Sequence, residues 1–340
     1  MKQQLSIIVL FFLLVSVSRG QEVGTYAGEF LQLGTGARSL ALGGAAIAYI
    51  DDASVGYWNP ASTAYINYPT VTAMHEARFD NTVVYDFAAV AAPIGKEYGF
   101  AFSVLHIGIS DIKDTRSAFI DRNNNAVFDG DDYLDYSKVS SFGNYDWGFM
   151  VSIGKQKDST LSYGATAKLI LRKLDPTNKA TGIGFDAGIR YNVTTNATLA
   201  LVAQDITTTF LSYSSGTKEL ISPTIKVGGA YTWAIFDAEE HHLMPVLDVD
   251  MRFESRGKSS QIALGPISLD THWGLEYRYK DIISVRGGYN DLNMFSIGAG
   301  LNLPKLSFDY AFMSFNGQEQ LGNTHRISFS LRLEQEKWKR

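Results

Sequence analysis

The chain has 340 residues, of which 45% are hydrophobic and 19% charged, a balance that excludes a disordered polymer. Its net charge of −5 argues against a nucleic-acid binder working through a basic face. It holds no cysteine, which excludes disulfide scaffolds, thiolate metal sites and cysteine nucleophiles. With 31 glycines, 20 phenylalanines, 18 tyrosines and only 8 prolines, the composition suits many aromatic strands broken by turns.

Residues 1–20 read as a secretory signal peptide. Lys2 supplies the positive start, an apolar run spans Leu5 to Val17, and Ser18 and Gly20 suit a cleavage site before Gln21. The run is short for a membrane helix, which needs about 20 residues. No later apolar run is long enough either, so any membrane crossing must use strands.

Residues 21–68 form a separate, glycine-rich segment. It runs through Gly34-Thr35-Gly36, Gly43-Gly44, Asp51-Asp52-Ala53-Ser54 and Tyr57-Trp58-Asn59-Pro60-Ala61. No lysine follows a glycine at Walker spacing, so these are not phosphate loops. Small residues let backbone approach backbone, which suits a plug packed inside a barrel.

From Thr70 the dominant period is two. Tyr145, Trp147, Phe149, Val151 and Ile153 alternate with Asp146, Gly148, Met150, Ser152 and Gly154, and the pattern returns through Phe308 and Phe329. A soluble sandwich also alternates. Here the segments run to about ten residues, the span of a tilted membrane strand. Tyr145, Tyr191, Trp273 and Tyr279 sit near segment ends, as an interfacial girdle requires.

About fourteen segments begin near 70, 82, 98, 144, 160, 181, 197, 224, 242, 270, 282, 294, 305 and 324. Alternate joints are short, and the long connections, 109–143, 206–222 and 255–268, all fall in the other set. A barrel with short periplasmic turns and long outer loops has this parity. The expected fold is therefore all-β: a transmembrane antiparallel barrel over 69–334, with a plug over 21–68 and a periplasmic tail over 335–340. A soluble, secreted β-sandwich binding module is the competing architecture.

The stretch GEFLQLGTGARSLALGGAAIAYIDDASVGYWNPAST resembles the N-terminal signature of the PorV/PorQ family of outer-membrane proteins, related to the FadL-type long-chain fatty-acid transporters. The resemblance implies that Asp52, Ser54, Asn59, Pro60 and Ala61 belong to the plug motif of a fourteen-stranded barrel in the outer membrane. It also implies one of two roles. The first, which is the leading reading, is a non-enzymatic part in type IX protein secretion, with secreted cargo domains or other secretion subunits as partners. The second is a channel for hydrophobic small molecules.

The longest outer loop holds a further pattern. Asp121, Asn123, Asn125, Asp129 and Asp132 occupy positions 1, 3, 5, 9 and 12 of a calcium loop, with the Val127 carbonyl at position 7. Oxygen donors at these spacings suit a hard cation, so Ca²⁺ is expected there. The pattern departs at Ala126, where calcium loops use glycine, and at position 12, where Asp132 stands in place of a bidentate glutamate. The competing reading is a solvated acidic turn.

Catalytic patterns are absent: the six histidines form no His-x-x-x-His pair or HExxH motif, and no Gly-x-Ser-x-Gly elbow occurs. A non-enzyme is expected. Lys168, Arg172, Arg190, Lys226, Arg252, Arg278, Arg286, Arg326 and Arg332 are expected to face inward with Asp86, Asp146, Asp186, Asp248, Asp250, Glu276 and Asp309. Mixed signs suit a paired polar lumen rather than an ion-selective ring.

Overall fold

The computed structural model describes residues 29–78, 82–130, 132–236, 240–254, 256, 259–314, 323–335 and 339. The expected signal peptide and most of the expected tail lie outside these residues.

Fourteen strands close into one antiparallel barrel. They are β1 Thr70–Arg78, β2 Val83–Ile94, β3 Tyr98–Asp114, β4 Ser140–Gln156, β5 Leu161–Lys173 and β6 Lys179–Asn192. Strand β7 comprises Ala197–Gln204 and Thr209–Tyr213, and β8 comprises Lys218–Ile221, Thr224–Tyr231 and Trp233–Ala234. There follow β9 His241–Arg252, β10 Ile267–Tyr279, β11 Ile283–Tyr289, β12 Phe295–Asn302, β13 Leu306–Ser314 and β14 Thr324–Arg332. Thr70 pairs with Ala91 of β2 on one side and with Arg332 of β14 on the other, which closes the sheet. Closure leaves no unpaired edge, the condition for strands to cross a bilayer.

Burial follows the alternation. Along β5, Ser162, Thr166, Lys168 and Ile170 are buried, while Tyr163, Ala167, Leu169 and Leu171 are exposed. Phe185, Leu201, Val227, Leu275 and Ile297 are likewise exposed on the outer wall. An apolar belt of this extent needs hydrocarbon around it. No helix among the described residues is long and apolar enough to cross a membrane.

Two expectations fail in detail. Asp86 points outward, not into the lumen, because Tyr85 and Phe87 are the buried side chains of β2. Phe87 and Tyr57 of the N-terminal segment meet edge to face. On the outer wall Asp86 meets His75 Nδ1 at 2.7 Å and His106 Nδ1 at 3.7 Å. The stretch 206–222 is not one long loop either. Strands β7 and β8 continue through most of it and pair from Thr209↔Ile221 to Ser212↔Lys218.

The alternation stops locally because β7 makes an excursion at 205–208, opposite Ser222-Pro223. Asp205 (φ 54°) and Thr208 (φ 60°) leave the β region there. Asp205 turns inward, where Lys168 Nζ donates to it at 2.6 Å and also meets Asp186 at 2.7 Å. Pro245 fits its strand by another local adjustment: it pairs with Leu275 of β10, and on the β8 side it falls where the ladder skips between Ala230 and Trp233. Without an N–H, proline costs least at such a gap.

The N-terminal segment fills the lumen. Helix α1 (Ala37–Ala41), helix α2 (Val55–Trp58) and the 3₁₀ turn Pro60–Tyr65 are almost wholly buried. Close approach selects glycine on both partners. A Cβ on Gly164 of β5 would stand 2.5 Å from the Pro60 carbonyl carbon. Gly43 adopts φ +70°, with its own would-be Cβ driven into the Tyr289 backbone. Either position excludes a side chain.

Candidate functional site

The interior site is the contact between the N-terminal segment and the wall, with the cavities it leaves. Asn59 is 1% exposed. Its Nδ2 donates to the Ile47 carbonyl at 3.1 Å and to the Ile189 carbonyl of β6 at 3.2 Å. Its Oδ1 accepts the Ala61 N–H at 3.0 Å. One amide thus ties the segment to itself and to the barrel. Pro60 opens the 3₁₀ turn, where its missing N–H costs nothing, and Ala61 is fully buried behind it. Asp52 Oδ1 accepts from Ser54 N–H at 2.7 Å and from Ser54 Oγ–H at 2.6 Å. Burial pushes the Asp52 carboxyl up to about 6, against the pull of these two hydrogen bonds.

Wall residues hold the segment at three further stations that the sequence did not single out as anchors. Arg326 of β14, fully buried, donates to the carbonyls of Leu33, Gly34 and Gly36 and pairs with Glu76 of β1. Asp248 of β9 accepts the N–H groups of Ala46 and Ile47 at 2.6 and 3.1 Å. Arg38, on helix α1, reverses the polarity: its guanidinium reaches Glu276 of β10 through two 2.8 Å hydrogen bonds. Arg286 shares that carboxylate and also meets Asp309 at 2.6 Å. The inward charges are therefore largely paired. Their alternation with apolar residues was visible in the sequence; which backbone groups they serve was not.

Two cavities flank this packing. The outer one, about 300 Å³, lies toward the long-loop end, between the segment and the wall. Leu33, Leu40, Trp58, Leu292, Met294 and Met313 supply its apolar lining, and Arg78, Lys226, Arg252 and Arg256 its basic side. The other, about 90 Å³, lies at the short-turn end and is polar throughout, with Arg38, Asp52, Arg278, Asp281, Ser307 and Arg332 among its walls.

The calcium-loop residues lie apart from this interior, in the connection 115–139. Asp121 accepts the N–H groups of Asn124 and Ala126 at 2.5 and 2.7 Å. Asn123 and Asn125 donate their amides to the two oxygens of Asp129, at 2.7 and 2.8 Å. Asp132 accepts from the Arg122 and Asp129 N–H groups. Ala126 takes φ +60°, and Val127 N–H donates to Asn125 Oδ1 at 2.7 Å. The fold thus gathers Asn123, Asn125 and Asp129 directly and turns Asp121 and Asp132 onto the loop backbone. Among the described residues no group of three His, Asp or Glu side chains is placed to hold a metal.

Residues 15–167 match the model of an uncharacterised protein family, UPF0164. No curated protein matches the chain in sequence. Among solved structures, the barrel is similar to the toluene transporter TbuX of Ralstonia pickettii, at 15% identity and a TM-score of 0.55, over 88% of this chain and 99% of that one. It is similar to the toluene transporter TodX of P. putida, at 13% identity and a TM-score of 0.57, over 89% and 99%. A Pseudomonas aeruginosa FadL homologue aligns at 12% identity and a TM-score of 0.51, over 88% and 98%. Neither the matched model nor these structures carries the PorV/PorQ name. The chain is a closed fourteen-strand transmembrane β-barrel with the fold of the FadL-type transporters.

Proposed function

We propose that the protein is an outer-membrane channel admitting small hydrophobic molecules, and not an enzyme. The outer cavity carries this reading. It opens toward the long loops, its volume of about 300 Å³ reaches the range of small-molecule pockets, and apolar and aromatic side chains line one side of it. The likeness of the whole barrel to toluene transporters supports the same class of substrate. Toluene is a suitable first probe. Gram-negative cells carrying the protein should take up radiolabelled toluene faster than cells without it; equal rates would refute the reading.

A role in type IX secretion is the second reading, favoured by the Gly28–Thr63 signature and by the large outer loop 115–139. Recovery of a secreted cargo domain on the intact barrel, lost when that loop is shortened, would turn the assignment toward it.

The same loop is proposed to bind Ca²⁺. Its donors are hard oxygens, as the ion requires. Turning the Asn123 and Asn125 amides by half a rotation would replace the N–H groups now facing Asp129 with oxygens, in the same positions. Affinity in the weak range of about 10⁻⁴–10⁻³ M is expected, as for extracellular modules. Calorimetry of the folded barrel against an Asp121→Ala/Asp132→Ala variant tests it, and identical traces would remove the ion.

A further inference from the structure

Past Tyr145, β4 stands clear of the closed wall. Its pairing with β5 reaches only as far as Tyr145↔Lys173, whereas its pairing with β3 runs on to Ser140↔Asp114. Residues 140–144 are therefore held on one side alone, and among the described residues no backbone hydrogen bond reaches them from the β5 side. Tyr145 belongs to the outer girdle, so this stretch rises beyond the membrane into water. A strand held on one side turns the N–H and C=O of every second residue to the open side. The complement of such a row is another extended backbone.

Two other stretches open at the same rim, and both are guarded. Residues 110–114 of β3 lie past its last pair with β2, Ile109↔Val83. An extra residue bulges β3 there, with Asp111 at φ 61°, and the ion pairs Asp111–Lys113 (2.6 Å) and Asp114–Arg116 (2.7 Å) add charge. Lys218–Ile221 of β8 pairs with β7 alone and carries Lys218 and Glu219. Bulges and charges of this kind keep open edges from recruiting foreign strands. Residues 140–144 read Ser-Ser-Phe-Gly-Asn, with no charge, no proline and no extra residue. We propose that this unguarded edge is a docking site for an extended segment of another polypeptide, which adds to β4 as a further strand.

The surroundings define the segment. Five residues accept about 17 Å of extended chain. On the lumen-side face Phe142 pairs with Ile112, both half-buried, and offers apolar contact to a side chain of the incoming strand. On the outward face the Tyr145 ring lies over Gly143. Tyr136, 79% exposed on the 3₁₀ turn just before β4, supplies an aromatic anchor. The connection 115–139 carries five aspartates against three basic residues. The fitting partner is therefore an extracellular segment that alternates apolar residues with lysine or threonine. A second copy of this chain fits less well. Two barrels in one membrane are related by an axis along the membrane normal, which brings their edges together parallel, the weaker pairing, with the acidic loops side by side. The inference stands apart from the channel reading, because the edge lines neither cavity.

The test uses the full-length barrel in lipid nanodiscs and an octapeptide alternating valine with lysine and threonine. Bound peptide should slow amide hydrogen exchange across 140–144 and leave 218–221 unchanged. A peptide of the same sequence, N-methylated at every residue, keeps the side chains but lacks the backbone donors, and should give no protection. Ser140→Lys/Asn144→Lys gives this edge the guard its neighbours have and should weaken binding at least about tenfold. Heat-modifiable migration first confirms that this variant is folded; if it is not, the methylated peptide still decides. Equal protection by the two peptides, unchanged binding to the folded variant, or no protection at millimolar peptide would overturn the proposal. Exchange that slows with rising barrel density and no peptide would assign the edge to a second copy and overturn the proposed partner.

Discussion

Asn59 commits both ends of its amide inside the barrel, to two carbonyls and one N–H that have no water to turn to. Asn59→Ala leaves these groups unpaired, at a cost of about 1–3 kcal/mol. Its expected signature is earlier protease cleavage within residues 29–66 while the barrel itself still migrates as folded. Asp52 gives a pH signature of opposite sense to the usual carboxylate. Its folded value of about 6 exceeds the ordinary 3.8, so the folded state takes up the proton first. That contribution favours folding below about 4 and is lost as pH rises through about 6. The melting temperature of the unsubstituted barrel, compared with Asp52→Asn, should therefore improve on acidification from pH 7 toward 4. Parallel pH profiles for the two proteins would show that Asp52 does not titrate in this window.

The lipid-facing strands carry a prediction of their own. Ala167 and Phe185 pair across β5 and β6, both facing outward near mid-strand. Ala167→Arg or Phe185→Arg should cost about 2–4 kcal/mol, because the charge meets hydrocarbon at the midplane. Phe295→Arg, at the outer end of β12, should cost only about 0–1 kcal/mol. Urea titration of the refolded barrel in lipid vesicles measures all three, and a uniform cost would contradict the membrane placement. Strand order and facing were legible in advance, since a period of two assigns each side chain to a face without knowing its neighbours. Asp86 shows the limit of that logic. The rule of polar-in failed there because Tyr85 and Phe87 are needed inside, where they pack on the plug, and β2 must turn its carboxylate out to two histidines.

At the scale of the whole molecule, the outer loop and the barrel should respond separately to calcium. Added Ca²⁺ is expected to slow proteolysis within 115–139 and to leave toluene uptake unaltered, since the loop residues share no contact with the interior cavities. Slower uptake on adding the ion would couple the loop to the channel.

Much of this architecture followed from local pattern alone. Alternation set the strands, the parity of short and long joints put the long connections at one end of the barrel, and the glycine-rich stretch before Thr70 marked a close-packed insert. Each of these depends on neighbours in the chain, so no coordinates were needed to see them. The continuation of β7 and β8 through 206–222 was hidden because Asp205 and Pro223 break the local period, and only pairing with distant strands repairs it. The anchors on Arg326, Asp248 and Glu276 were hidden for a similar reason: their partners in the plug, backbone groups for the first two and the Arg38 guanidinium for the third, stand some 200 to 290 residues away in the chain. The cavities belong wholly to the tertiary structure. They are spaces between one short helix and the wall of a closed barrel, and empty volume has no residue of its own to announce it.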